Sequence, residues 1–228
     1  MSPSPGLSGA TIVFDLDGTL IETAPDLVGT LNVLLGREGI EPLPLAQARN
    51  LIGQGAKALI ARGFAAAGAP LAEAKLNALF GDFIEHYLAH IADESRPFPG
   101  LIGAMDALET AGATLAVCTN KRTDLSVALL DALKLSHRFA AIVGGDAVAA
   151  QKPAAVHLTE TIRRAGGDVA RAVMVGDSAS DAGAARAAGV PLVLVSFGYT
   201  DTPAAQLGAD VLIDHFDDLP GACRRLLG

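Results

Sequence analysis

The sequence predicts an α/β fold, a doubly wound (Rossmann-like) parallel sheet with an inserted all-helical cap domain. From residue 114 onward, short and nearly continuous apolar runs alternate with helical patterns. Such alternation is typical of a parallel sheet that helices cover on both faces. A further apolar run, Thr11–Phe14, lies near the start of the chain, and residues 23–93 contain no convincing strand. A helical segment is therefore expected to interrupt the alternation after the first strand.

The predicted strands are short apolar runs. In chain order they are Thr11–Phe14, Thr114–Thr119, Ala140–Val143, Ala172–Val175, Pro191–Val195 and Val211–Ile213. Helices are predicted at Leu101–Ala111, Thr123–Leu133, Ala154–Ala165, Asp181–Ala188, near Ala204, and in a last segment that ends at Leu227. Because crossovers between parallel strands are right-handed, this alternation predicts a doubly wound sheet.

The segment after the first strand predicts helices. Pro25 suits the first turn of a helix. Leucines follow at helical spacing, at Leu27, Leu31, Leu34 and Leu35. Two more helices are predicted over Gly55–Gly68 and Leu71–Ile91, and Arg96–Gly100 is predicted to lead back to the sheet. We expect residues 1–20 and 94–228 to form the α/β core domain, and residues 21–93 to form the helical cap domain.

Composition and charge exclude several classes of partner. The formal net charge is −8, from 25 acidic and 17 basic residues among 228. This balance disfavours nucleic acid, because such binding depends on basic patches that release counterions from phosphates. No segment approaches the roughly 20 apolar residues that span a bilayer, so no membrane partner is expected. A small phosphorylated ligand remains compatible with the charge, since it needs only one or two well-placed cations.

The start of the chain and the cysteines suggest a compartment. Met1–Gly9 lacks the basic and apolar regions of a signal peptide and is expected to be a loose leader. Cys118 and Cys223 have no metal-binding spacing and are predicted to be free thiols in a reducing compartment. These features predict a cytoplasmic protein. Either a monomer or a homodimer is expected.

Two carboxylates, Asp15 and Asp17, directly follow the first predicted strand. Like charges this close raise each other's pKa unless a cation lies between them. The pair therefore favours a metal site and carboxylate chemistry. The alternative is an Asp-Gly turn that carries a second Asp by chance, since both residue types are common in turns.

Other predicted strands also end at polar residues. In a doubly wound sheet, ligands bind at the carboxyl ends of the strands. These ends carry Asp15, Asp17, Thr119, Asn120, Lys121, Lys152, Asp177 and Asp181. Carboxylate oxygens suit Mg²⁺, whereas lysine, hydroxyl and turn amides suit phosphate oxygens. The set predicts a Mg²⁺-dependent centre for phosphoryl transfer.

The ordered set resembles the four motifs of the haloacid dehalogenase superfamily. The matching pieces are Asp15-Leu16-Asp17-Gly18-Thr19, Thr119-Asn120, Lys152-Pro153, and Gly176-Asp177 with Asp181. The resemblance runs from about residue 11 to residue 214, and the helical insertion matches the position of that family's cap. The family often has Pro-x-Pro after its lysine, whereas this chain reads Pro153-Ala154-Ala155. This departure concerns backbone shape rather than charge.

The resemblance implies a role for each carboxylate of the first motif. Asp15 would be the nucleophile that takes the phosphoryl group as an aspartyl-phosphate. Asp17 would be the general acid that protonates the leaving oxygen, and then the base that activates water. Dehalogenases of the superfamily lack a carboxylate at that position and its transport ATPases have lysine there, so Asp17 favours a phosphatase or a phosphomutase.

The remaining motifs imply phosphate and metal ligands. Thr119, Asn120 and Lys152 would bind the transferring phosphate. Asp15, the backbone carbonyl of Asp17, and Asp177 would hold Mg²⁺, while Asp181 would orient Lys152 or a metal-bound water. Lys121 is the rival for the phosphate-binding lysine, and Lys152 is preferred because it precedes the motif proline. A helix N-terminus that carries acids is the alternative explanation for the last two aspartates.

The cap is expected to set the substrate. Several local stretches resemble the branch of the superfamily that hydrolyses 2-phosphoglycolate to glycolate and phosphate. They are Arg96–Gly100, Gly53–Lys57, Thr119–Lys121, Phe197–Tyr199 and Ala209–Asp210. Gly53, Gly55 and Lys57 are predicted to form the specificity loop, in which Lys57 or Arg62 would meet the substrate carboxylate. A solvated face of a cap helix is the alternative for both cations.

Other functions remain open at this point. A pyrophosphatase or a sugar-phosphate phosphatase would use the same core with a different cap loop, and a phosphomutase would keep the phosphoryl group. A non-catalytic phosphoprotein-binding module is disfavoured, because it would not need Asp17. His86 and His90 have a spacing that binds zinc, but the metalloprotease pattern fails and they are interpreted as cap residues. Ser178 and Ser180 lack a paired histidine.

Overall fold

The computed structural model describes residues 6–228 and contains a six-stranded parallel sheet. Its strands are β1 (Thr11–Phe14), β4 (Thr114–Thr119), β5 (Ala141–Gly144), β6 (Ala172–Gly176), β7 (Leu192–Val195) and β8 (Val211–Ile213). They lie in the order β5-β4-β1-β6-β7-β8. The chain thus adds strands on one side of β1 and then crosses to the other side. The predicted doubly wound sheet is confirmed.

Helices cover both faces of this sheet. They are α5 (Leu101–Thr110), α6 (Thr123–Ala132), α7 (Ala155–Arg164), α8 (Ala179–Ala188) and α9 (Leu219–Leu227). Alternation along β1 divides the interior, because Ile12 and Phe14 pack into one apolar cluster and Val13 into the other. The sheet is buried on both faces, which explains why its strands are almost continuously apolar.

Four helices are inserted between β1 and the rest of the sheet. They are α1 (Ala24–Arg37), α2 (Leu45–Ala48), α3 (Ala56–Ala66) and α4 (Glu73–Ala89). Leucines of α1, with Phe64 and Phe83, pack into the same apolar cluster as Ile12 and Phe14. The insertion is therefore seated on the sheet through a continuous apolar core. The boundaries at residues 21 and 93 remain a prediction.

A short ribbon joins the insertion to the sheet. Strand β2 (Ile21–Glu22) pairs antiparallel with β3 (Arg96–Pro97). Asp26, in the first turn of α1, accepts hydrogen bonds from Ser95 N at 2.8 Å and from Ser95 Oγ at 2.6 Å. The entry and exit of the insertion are thus held together at one point.

Local predictions were partly correct. The short helix predicted near Ala204 is present as a single 3₁₀ turn, Ala204–Gln206. Residues 1–5 of the predicted leader lie outside the described residues, but the rest of it is not loose, because Leu7 is buried and the amide of Gly9 donates to Gly112 O. Ribbon β2–β3 and helix α2 were missed, because two-residue strands and one-turn helices are too short to show periodicity. Within residues 6–228, no helix combines the length and apolar character that crossing a bilayer requires.

Candidate active site

Sheet register brings the polar strand ends together. Phe14 of β1 is aligned with Val117 of β4 and with Val175 of β6. Asp15, Thr119 and Asp177 follow these residues by one or two positions, so they meet at one edge of the sheet. The central position of β1 explains why both flanking strands contribute.

Lys152 lies between two buried aspartates. Its Nζ is 2.9 Å from Asp15 Oδ1 and 2.6 Å from Asp181 Oδ1. The other oxygen of Asp181 accepts hydrogen bonds from Ser178 N at 3.0 Å and from Asp177 N at 3.2 Å. Asp181 therefore holds both the lysine and the start of α8. The structure brings the predicted phosphate-binding lysine to the predicted nucleophile.

Asp177 is fixed by groups from two distant segments. Its Oδ1 accepts from Thr19 Oγ1 at 2.7 Å, and its Oδ2 accepts from Tyr199 N at 2.6 Å. The backbone packs closely here, since a Cβ at Gly198 would lie 2.1 Å from Asp177 Cβ. Gly18, with φ of +86°, likewise has no room for a side chain beside Asp177.

The acidic cluster carries an excess of negative charge. Carboxylate oxygens of Asp15, Asp177 and Asp181 all lie within 4.8 Å of one another. Burial, together with the neighbouring carboxylates, raises the pKa of Asp15 to about 7, although Lys152 opposes this, and raises the pKa of Asp177 well above its ordinary value. If all three carboxylates were ionised, the single ammonium of Lys152 would leave an excess of two negative charges. The donor set fits a divalent cation, which would supply the missing charge.

Asp17 faces a different lysine. Lys121 Nζ lies 3.0 Å from Asp17 Oδ1, and Thr23 Oγ1 donates to the same oxygen at 2.8 Å. The Lys121 ammonium also donates to the hydroxyl of Tyr87 from helix α4, at 3.0 Å. The two motif aspartates are therefore held by separate lysines, which the spacing of the motif alone does not indicate.

Thr119 and Asn120 end strand β4 beside these lysines. Thr119 is buried, and its hydroxyl accepts from Lys121 N at 3.2 Å. Asn120 Nδ2 donates to Lys152 O at 3.2 Å and to Gly53 O at 3.4 Å. Its Oδ1 is buried and unpartnered among the described residues. Asn120 thus links the lysine loop to the predicted specificity loop.

A cavity of about 300 Å³ lies between the insertion and the sheet edge. Its walls include Asp15, Asp17, Thr119, Asn120 and Lys121 from the sheet, and Gly53, Gly55, Lys57, Phe80 and Phe83 from the insertion. The cavity is large enough for a small phosphomonoester. It is polar at its sheet end and at Lys57, whereas Phe80 and Phe83 make part of the insertion side apolar. The predicted specificity loop therefore does face the predicted catalytic residues.

The two predicted cap cations differ in position. Lys57 lines the cavity, donates to Asn77 Oδ1 at 2.8 Å, and lies 5.4 Å from the ring centre of Phe80. Arg62 instead pairs with Asp201 at 3.1 Å, beside a separate and smaller cavity. Lys57 is the better placed of the two for a ligand carboxylate.

The sequence analysis assigned no role to three residues at this site. Tyr87 contacts Lys121, and Tyr199 contacts Asp177 through its amide and Thr23 N through its hydroxyl, at 2.7 Å. His157 is buried, accepts from Lys152 N at 3.2 Å through Nδ1, and donates to Val143 O from Nε2. A histidine 5 residues after a motif lysine was the available signal for His157. Tyr199 was noted only as the end of the stretch Phe197–Tyr199, and Tyr87 gave no signal because it resembles an ordinary core aromatic.

The remaining candidates lie elsewhere. His86 and His90 stack with ring centres 4.5 Å apart on α4, and His90 pairs with Asp93. The grouping of potential metal ligands found in residues 6–228 includes neither histidine. Ser178 and Ser180 hydrogen-bond to each other at 2.8 Å. Cys118 and Cys223 are buried free thiols.

Comparisons of the sequence and of the fold with known proteins identify the same group of enzymes. Residues 12–195 match the model of a family described as haloacid dehalogenase-like hydrolase. The chain is 57% identical over its whole length to phosphoglycolate phosphatase of Caulobacter vibrioides, covering 96% of that protein. It is 50% identical to the protein of the same name from Agrobacterium fabrum, over 92% of this chain and 90% of that one. A solved structure, a predicted phosphoglycolate phosphatase from Haemophilus somnus, superposes with a TM-score of 0.86 at 29% identity, over 95% and 98% of the two chains.

Proposed function

The chain belongs to the haloacid dehalogenase-like hydrolases, and from that premise we propose that it hydrolyses 2-phosphoglycolate to glycolate and phosphate. The arrangement of Asp15 and Asp17 carries the proposal. The two carboxylates line one small cavity, and each is held by its own lysine. The names of the relatives at 57% and 50% identity support the choice of substrate.

The first half of the reaction transfers the phosphoryl group to the enzyme. Asp15 attacks phosphorus, and the bond between phosphorus and the glycolate oxygen breaks. Asp17 donates a proton to that oxygen, so glycolate leaves as an alcohol. Lys152 and the hydroxyl of Thr119 offset the charge on the transferring group. The products of this step are glycolate and an aspartyl-phosphate at Asp15.

The second half releases phosphate. Asp17, now ionised, removes a proton from a water molecule as that water attacks phosphorus. The bond between phosphorus and the Asp15 oxygen breaks, which regenerates the free carboxylate. The proton on Asp17 is then available for the next substrate, so the cycle balances.

A magnesium ion fits the acidic cluster in charge and ligand type. Asp15, Asp177 and the backbone carbonyl of Asp17 would hold it, while Asp181 orients Lys152. When bound, Mg²⁺ supplies positive charge to the phosphate oxygens. The excess of carboxylates over ammonium groups in the cluster supports this part of the proposal.

Lys57 is proposed to recognise the substrate carboxylate from the insertion. The first turn of α3 also presents backbone amides there, since the N-terminal Gly55 provides no side-chain cap. Replacement of Lys57 by Met is expected to raise KM for 2-phosphoglycolate about 10-fold and to leave KM for ethyl phosphate nearly unchanged. Lys75→Met is the matched control, because Lys75 pairs with Glu38 on the outer face of the insertion.

Phosphate release across a substrate panel tests the function. The panel holds 2-phosphoglycolate, pyrophosphate, sugar phosphates and phosphonoacetaldehyde, each with and without Mg²⁺. We expect kcat/KM to be highest for 2-phosphoglycolate with Mg²⁺. A strong preference for pyrophosphate or a hexose phosphate would overturn the substrate, and a requirement for a sugar bisphosphate would indicate a phosphomutase. Asp15→Asn should abolish release in every arm.

A further inference from the structure

A buried series of hydrogen bonds connects the helical insertion to Asp17. Tyr87 belongs to α4, and its hydroxyl oxygen accepts a hydrogen bond from Lys121 Nζ at 3.0 Å. The same ammonium lies 3.0 Å from Asp17 Oδ1 and 3.3 Å from Asp17 Oδ2. One side chain of the insertion therefore reaches the proposed acid/base through a single lysine.

The side chains in this series of hydrogen bonds are so deeply buried that water cannot take the place of any one of them. Tyr87 is fully buried, and the Lys121 side chain is only 5% exposed. An ammonium removed from water needs charged or polar partners, and removal of one partner is costly. Asp17 and Tyr87 are the side chains to which Lys121 donates among residues 6–228. The position of the ammonium thus depends on both.

Asp17 is held from two sides. Lys121 binds it on one side, and Thr23 Oγ1, just before helix α1, donates to its Oδ1 from another. Tyr87 is in turn fixed by Phe83 on its own helix, with ring centres 6.0 Å apart. Seating of the insertion on the sheet therefore determines where the carboxylate of Asp17 lies.

We infer that Tyr87 and Lys121 are positioning residues, which place the Asp17 carboxylate for proton transfer only when the insertion is seated. The inference rests on the proposed function, in which Asp17 protonates the leaving oxygen. It adds a physical link by which the insertion controls the chemical step as well as the shape of the cavity. Neither residue touches the reacting atoms in this role.

The leaving group distinguishes positioning from general structural support. Ethyl phosphate must release an alcohol and needs the proton of Asp17, whereas p-nitrophenyl phosphate releases a stable anion that needs it far less. In Tyr87→Phe we expect kcat/KM for ethyl phosphate to fall about 10-fold and that for p-nitrophenyl phosphate to fall less than about 3-fold. Steady-state kinetics at saturating Mg²⁺ measures both.

Thr30→Val is the matched control, because it removes another buried hydroxyl of the insertion, from helix α1. That hydroxyl contacts His86 Nδ1 at 3.3 Å and has no contact with Lys121, Asp17 or Thr23 among the described residues. Its loss is expected to affect the two substrates by equal factors. Equal losses in Tyr87→Phe, or no loss at all, would overturn the inference.

A second pair of variants covers failure of Tyr87→Phe to fold, which thermal melting detects. Lys121→Met should show the same dependence on leaving group, and Lys121→Arg should recover part of the activity toward ethyl phosphate, since it keeps the charge. If Lys121→Met loses activity equally on both substrates, the inference is wrong. A wild-type enzyme that ignores 2-phosphoglycolate but hydrolyses p-nitrophenyl phosphate would refute the proposed substrate alone, and this comparison would still be decisive.

Discussion

Asp15 and Asp17 are two residues apart and yet have different surroundings. Asp15 is buried against Lys152 in the acidic cluster, where burial raises its pKa to about 7. Asp17 lies outside that cluster, between Lys121 and Thr23. Strand β1 ends at Phe14, so both aspartates lie in the loop that follows it, and their side chains enter separate hydrogen-bond networks. The structure thus provides separate environments for the proposed nucleophile and for the proposed acid/base.

The first prediction concerns Asp17. In Asp17→Asn we expect kcat to fall by roughly 10²- to 10⁴-fold, because the amide can neither protonate the leaving oxygen nor activate water. Phosphate release from 2-phosphoglycolate measures the loss, and melting temperature checks the fold. Slow phosphorylation of Asp15 in this variant, detected by mass spectrometry, would show that the nucleophile still reacts. Full turnover in this variant would contradict the assignment.

At the residue scale, the sequence predicted the residues that belong to the four motifs. It did not predict the residues that position them. Asp15, Lys152, Asp177 and Asp181 come after predicted strands, and the carboxyl ends of parallel strands meet at one edge of a sheet. Lys121 was considered only as a rival of Lys152, whereas the structure gives it a carboxylate of its own. Its contact with Tyr87 spans 34 positions and depends on how α4 lies on the sheet. No local pattern encodes such a contact.

Helix α7 shows how an element supports the site without entering it. His157 lies in its first turn, fully buried. Its Nδ1 accepts from Lys152 N and its Nε2 donates to Val143 O, which fixes one neutral tautomer. The helix therefore holds the loop that presents Lys152 to Asp15. Burial and the nearby Lys152 lower the pKa of His157 to about 4.

This depressed pKa predicts a loss of stability in acid. The unfolded chain takes up a proton at His157 near its ordinary pKa of 6.5, whereas the folded chain does so only near 4. The free energy of unfolding should therefore decline as pH falls from about 6.5 to 4, by on the order of 3 kcal/mol in total. Urea unfolding at a series of pH values measures this decline.

His157→Asn provides the comparison, because it keeps an acceptor for Lys152 N and does not titrate. The difference in stability between wild type and His157→Asn should shrink as the pH falls. His137→Asn serves as the control, since His137 is exposed and should follow the wild type. Parallel pH profiles for wild type and His157→Asn would show that His157 does not titrate as expected.

At the scale of elements, the long periodic segments were predictable and the short connections were not. Helices α3 and α4 begin and end within about two residues of their predicted bounds. The pair β2–β3 was missed, because its four residues are stabilised by each other across 74 to 76 positions rather than by a local pattern. Hydrophobic periodicity reports burial within an element and carries no information on such pairings.

For the molecule as a whole, ionisation of the buried acidic cluster opposes folding. The chain carries a formal charge of −8, and full ionisation of Asp15, Asp177 and Asp181 beside Lys152 would place two uncompensated negative charges in its interior. Burial of unpaired charge opposes folding. A bound divalent cation would offset this cost and link metal binding to the stability of the entire sheet.

We therefore expect Mg²⁺ to stabilise the protein as well as to activate it. A ligand that binds only the folded state adds about 2.7 kcal/mol at 100 times its Kd, so the melting temperature should rise with Mg²⁺ concentration. Exhaustive chelation should lower the melting temperature and abolish phosphate release. NaCl at equal ionic strength is the control for screening, and Asp177→Asn should lose the Mg²⁺-dependent rise. Undiminished activity after chelation would refute the metal requirement.

The ribbon at the base of the insertion has a consequence for how the chain tolerates change. Glu22 and Arg96 face each other in an antiparallel pair, and Asp26 ties the first turn of α1 to Ser95. Paired residues of this kind lie about 5 Å apart, so everything between them leaves and re-enters the sheet through one narrow gap. The gap is the same whatever length of chain it encloses. A grafted insertion is therefore expected to leave the register of β1, β4 and β6 unchanged, provided that its helices cover the apolar face of the sheet that α1 covers here.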